Sequence, residues 1–368
     1  MRCAAHTLNL VATTDADNAL KDPRFNNSYV TIFNKCRTLW NKQNQSIIAA
    51  ETIKAEFGKK FVTPNQTRWN SIYDSIVCLL EIIDNCKDLK SFNQVITDPH
   101  KNIKVGKFLT SDVAFLRQYQ AVMFSVANGL DTLQSEKKAY MGIFCPVICL
   151  IRDELQDCAD NEDLDLVKPL IRALIKGLDK RTKEALDKEE YLLAAAFHPE
   201  FRLEWMERML PTKVEQTLTR MKELVLAELK AMNVSTQGQD EGQEQVGHEE
   251  DTAQKPKSPA KKSWLSKLKN KGTQGSGDDA VLMRKATSII ETWRGNATEE
   301  GAKFTDSVFL GEKALVNLFI RFNTGIPSSA GVERLFSIGK LILRDNRSRL
   351  SDENFERLML MQGNSNLK

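Results

Sequence analysis

Apolar residues recur along this chain at intervals of three and four. Trp69, Ile72, Tyr73, Ile76, Leu79, Leu80 and Ile83 form one stripe, which predicts a helix with one side turned to a core. Similar stripes predict helices at about 27–57, 111–134, 140–157, 164–186, 189–197 and 211–232. Runs that alternate apolar with polar residues between turn signals are missing, and no fixed-period repeat is present. The pattern predicts a mainly α protein.

Near residue 233 the pattern stops. Gln, Gly, Ser, Thr, Lys, Asp and Glu dominate to about residue 279, a composition that buries too little apolar surface to offset the entropy of ordering. The expected linker is split by charge: Asp240, Glu241, Glu244, Glu249, Glu250 and Asp251 precede Lys255, Lys257, Lys261, Lys262, Lys267, Lys269 and Lys271. It reads as a solvated tether, with a nuclear-import or phosphate-contacting lysine run as the functional alternative.

Beyond the linker, helical patterning returns over Val281–Trp293 and around Phe304–Phe322. Pro327 then sets an extended approach, and Ser328 or Ser329 can cap a helix whose expected inner face is Val332, Leu335, Phe336, Gly339 and Ile342. A last helix begins at Ser351, with Asp352 and Glu353 where the helix dipole favours anions, and stops at Gly363. Leu335, Phe336, Ile338, Ile342, Leu358 and Met361 belong to a set of apolar positions too broad for one helix face to hide. Such helices require a second layer or a second subunit.

Composition narrows the picture without deciding it. The 368 residues carry 52 basic and 49 acidic side chains, net +3, so the chain as a whole makes no case for nucleic-acid binding. Seven cysteines in a long chain without a secretory signal pattern read as reduced thiols. No apolar run approaches the roughly 18 residues a membrane span needs, so no membrane partner is expected. Cys3 and His6 lie one helical turn apart, half a zinc site, but no second pair completes it; packing that orients a helix is the simpler reading, and no metal is expected there.

Four blocks, in order, resemble the hAT superfamily of DNA transposases and the BED-type zinc-finger proteins derived from it. Cys3-Ala4-Ala5-His6-Thr7-Leu8-Asn9-Leu10 resembles its first block, and Arg68-Trp69 its Arg-Trp block. Phe197-His198-Pro199-Glu200-Phe201-Arg202 is similar to its D-P-x-F-K signature, with His198 where aspartate is usual. Pro327-Ser328-Ser329-Ala330 with Glu333-Arg334-Leu335-Phe336-Ser337 resembles its C-terminal dimerisation region.

The resemblance implies an RNase H-like domain interrupted by a large helical insertion, cutting DNA with two aspartates and a glutamate. Those carboxylates hold two Mg²⁺ ions about 4 Å apart, which bridge the attacking water and the leaving oxygen. By position Glu333 is the third carboxylate, vestigial here, because both aspartates belong upstream of the Cys3 block. Asp15 and Asp17 follow His6 in helical or loop context and are poor substitutes. Arg68 and Trp69 fall where the family contacts phosphate and stacks a flipped base, and Cys3 and His6 fall beside the active site as structural residues.

These implications divide the chain into an RNase H-like remnant lacking its first strands, with the start of the insertion (1–66), a helical insertion domain (67–232), the charged linker (233–279) and a dimerisation region (280–368). The expected protein is non-catalytic, without cofactor since Mg²⁺ belongs only to an intact family enzyme. It is nuclear and self-associates, as a homodimer or with related hAT proteins, with possible residual DNA contact. Two alternatives stay open: the C-terminal portion of an active transposase whose aspartates and zinc finger lie upstream, and a helical protein-binding adaptor that does not touch DNA.

Overall fold

The computed structural model describes residues 3–65, 70–101, 103–135, 140–237, 276–296, 304–305, 307–343 and 350–364. Its described residues form helices and turns, with no strand among them. The chain divides into two compact units, Met1–Tyr191 with Gly325–Lys368, and Leu192–Thr324.

The first unit opens with α1 (Ala4–Leu10), which continues through a π turn, Val11–Asp15, and a 3₁₀ turn, Ala16–Lys21. Helix α2 (Pro23–Gln45) starts where the Asp22 carboxylate accepts from the Arg24 and Phe25 amides, with Pro23 in the first turn where no N–H is missed. The stripe predicted over 27–57 is two helices. Ser46 turns extended, its hydroxyl accepts from the Ala49 amide, and α3 (Ile47–Phe57) begins; Gly58, at φ 75°, ends it in a conformation that costs glycine little.

Next come α4 (Ser71–Asn85), α5 (Leu89–Thr97), α6 (Thr110–Gln134), α7 (Phe144–Asp160) and α8 (Lys168–Leu186). The long α6 lies at the centre and packs on α1, α4 and α7, with Phe115, Leu116, Val122, Val126 and Leu130 fully buried. Phe25 and Phe33 of α2 meet Phe115 and Tyr119 of α6 at ring separations of 5.7 and 5.1 Å. Burial of these aromatic side chains adds to that of the many aliphatic ones in driving this core together.

Helix α9 (Glu189–Ala196) carries the chain into the second unit. There α10 (Glu204–Met209), α11 (Pro211–Gln237), α12 (Ser276–Gly295) and α13 (Lys313–Asn323) enclose Trp293, Phe197, Met221, Val225, Leu315 and Leu318. Arg202 is buried inside this unit with its guanidinium 4.4 Å from the Trp293 ring centre, and one of its nitrogens donates to the Trp293 carbonyl. The Trp293 indole N–H in turn donates to the Ala196 carbonyl at 2.9 Å. Since α11 runs to Gln237 and α12 begins at Ser276, the predicted linker reduces to 238–275, which lies outside the described residues.

The chain returns to the first unit with α14 (Ala330–Ile342) and α15 (Asp352–Gly363), which pack on each other. Gly339 lies at that contact. A Cβ there would meet the Met359 sulfur at 3.1 Å and the Phe355 ring at 3.4 Å.

Candidate functional site

The first and last sequence blocks, more than three hundred residues apart, meet in one place. The Ala4 amide donates to the Pro327 carbonyl at 2.7 Å, tying the start of α1 to the segment before α14. Cys3 caps α1: its sulfur accepts from the His6 amide at 3.4 Å and, from the other side, from the Ser329 amide at 3.3 Å. The thiol itself donates to the Ser328 hydroxyl oxygen at 3.7 Å, and that oxygen accepts from the Ala330 amide. One sulfur therefore serves two helix starts.

This placement has an electrostatic consequence. Partial burial raises the thiol's pKa, but hydrogen bonding with Ser329, the His6 amide and Ser328 outweighs it, so the Cys3 thiol lies below the ordinary cysteine value. His6 sits on the exposed side of α1. No group of three or more His, Cys, Asp or Glu side chains positioned to hold a metal occurs among the described residues.

Glu333 stands one turn into α14 on its exposed side, where it accepts from the Ser329 hydroxyl at 2.7 Å. Arg334, the next residue, donates to the Gln134 carbonyl at 2.8 Å. Asp15, the nearest acid downstream of the Cys3 block, is buried and bound by Arg181 of α8 through two nitrogens. Sequence reasoning missed that pair, because neither residue belongs to a motif and 166 residues separate them. Beside it opens a cavity of about 370 Å³, walled by Thr7, Leu10, Phe144, Arg181, Lys188 and Tyr191.

Arg68 and Trp69 lie outside the described residues. The third block sits in the second unit, where His198 is buried among the rings of Phe201, Phe304 and Phe319. Its Nδ1 accepts from the Glu200 amide at 3.3 Å.

The predicted dimerisation residues divide by face. Leu335, Ile338 and Ile342 are half-buried on α14, whereas Phe336 is 69% exposed; on α15 Leu358 is 36% and Met361 72% exposed. The inner face expected for α14 is thus corrected: Gly339 is buried, but Val332 and Phe336 face outward. The cause is that α14 packs chiefly on α15, through Gly339 and through Leu335 beside Gly363, which leaves its remaining apolar positions in solvent. Leu341, Leu343 and Leu360 are also more than half exposed.

No protein-family model matches the chain, and no curated protein matches its sequence.

Proposed function

We propose that this chain is a non-catalytic protein derived from a hAT-type transposase, and that it works by joining to a second copy, or to a related hAT protein, through α14 and α15. The observation that carries this reading is the apolar surface of that helix pair. Val332, Phe336, Leu341, Leu343, Leu358, Leu360 and Met361 are all exposed within two short helices and their flanks. Isolated exposed apolar residues are ordinary, whereas a group of large ones marks an association surface.

A catalytic role for Glu333 finds little support in its surroundings. Its carboxylate accepts from the Ser329 hydroxyl at the start of its own helix. Asp15 is committed to Arg181, which fits the expectation that it does not substitute for a family aspartate. The resemblance to the first and last family blocks gains weight from their meeting at Cys3, Pro327 and Ser329. Nuclear location and DNA contact at Arg68 and Trp69 belong to the same proposal and rest on the resemblance.

The test of the non-catalytic half is incubation of the purified chain with supercoiled plasmid in Mg²⁺ and, separately, Mn²⁺. Unchanged plasmid is the expected outcome. Nicking that disappears in Glu333→Gln would overturn it in favour of an active nuclease.

A further inference from the structure

We infer that the outer face of α8 is a binding surface for the phosphate backbone of a duplex nucleic acid, read by charge and without base contacts. Arg172, Lys176, Lys180 and Lys183 are exposed on this helix. At 3.6 residues per turn they fall within an arc of about 100° and extend about 16 Å along the axis. Among the described residues none of the four has a carboxylate partner, whereas the acids of the helix are engaged: Asp179 accepts from Arg152 at 2.8 Å and Glu184 pairs with Lys188. Two further cations of the helix are engaged as well, Lys168 with Asp165 and Arg181 with Asp15.

Helix stability does not account for this row. Arg172, Lys176 and Lys180 follow one another at four-residue spacing, where like charges repel. Only Lys183, in the last turn, gains from the dipole. The buried side of α8, with Leu170, Ile171, Leu174, Leu178 and the Asp15 contact, fixes the helix rigidly and so holds the row in place.

The occupant follows from the charge pattern. A DNA strand presents a phosphate about every 3.4 Å of axis, and each cation that meets one releases a condensed counterion. An anionic membrane is a poorer match, because no large apolar side chain is exposed between Arg172 and Lys183 to enter the interface. This inference stands on the charge arrangement alone and holds or fails independently of the transposase reading.

The experiment is fluorescence anisotropy of the full chain with a labelled 24-base-pair DNA of arbitrary sequence, titrated at several NaCl concentrations between 50 and 200 mM. The comparison is the variant carrying Arg172→Gln, Lys176→Gln, Lys180→Gln and Lys183→Gln, with its helix content checked by circular dichroism. The expected result is at least a tenfold weaker affinity at 50 mM NaCl. The slope of log K against log salt is also expected to be shallower by about 3.6, four contacts at about 0.9 each. No binding by the parent chain at 50 mM, or equal slopes for parent and folded variant, would overturn the inference. Tighter binding of poly-aspartate than of DNA, lost in the same variant, would overturn it in favour of an acidic protein partner.

Discussion

Gly177 and Asp15 are in contact because glycine has no Cβ: one placed on Gly177 would stand 2.5 Å from the Asp15 Cβ and 2.8 Å from its carboxylate oxygen. That missing methyl lets the π turn after α1 lie against α8 and deliver Asp15 to Arg181. Gly→Ala inside a helix ordinarily stabilises by up to about 1 kcal/mol. Gly177→Ala is predicted to do the reverse, destabilising by about 1–3 kcal/mol through overpacking, as measured by urea unfolding. A gain in stability would show that the turn and α8 are not in register.

Four of the thiols stand in contrasting surroundings. Cys3 is half-buried and its pKa is lowered by hydrogen bonds, whereas Cys36, Cys145 and Cys149 are buried and their pKa values are raised by desolvation. Brief iodoacetamide treatment at pH 7.5, followed by peptide mass spectrometry, is predicted to label Cys3 ahead of those three. Equal labelling would contradict the hydrogen bonding around Cys3.

Burial also predicts a loss of stability in alkali. Desolvation pushes Cys36 and Cys149 from 9.0 up to about 12, so the native state keeps protons that the unfolded chain gives up. Their contribution is fully present below pH 9 and is lost as pH rises from about 9 toward 12, at most about 1.4 kcal/mol per pH unit for each thiol. Urea unfolding at pH 8, 9 and 10 checks this: Cys36→Ala lowers overall stability but flattens the fall with pH. Parallel curves for parent and variant would contradict it.

The helices were legible in the sequence because their burial follows period 3.6. Ile76, Leu79, Leu80 and Ile83 are buried as the stripe requires. The edges of stripes were less legible: Ile72, on the same stripe, is 38% exposed, and the break at Ser46 is a local cap inside an unbroken apolar pattern. On α14 the same reasoning misplaced Val332 and Phe336, since period alone does not reveal how many neighbours a helix has. The meeting of Cys3 with Ser328 and Ser329, like the Asp15–Arg181 pair, depends on long-range packing that local patterns do not encode.

That contrast between stripes is measurable. Ile76→Ala is predicted to cost about 2–5 kcal/mol, as for a core truncation. Phe336→Ala is predicted to change the stability of the dissociated chain by no more than about 0.5 kcal/mol, as for an exposed site. Denaturant unfolding at low protein concentration distinguishes the two, and a core-sized loss for Phe336→Ala would place that ring inside the fold.

The most direct measurement is the solution mass of the chain by sedimentation equilibrium at micromolar concentrations, alone and with Phe336→Glu and Met361→Glu combined. The parent is predicted to sediment at twice its 41.7 kDa chain mass and the double variant at the single-chain mass with unchanged helix content. A parent that remains monomeric at tens of micromolar, or a variant that still pairs, would contradict association through α14 and α15.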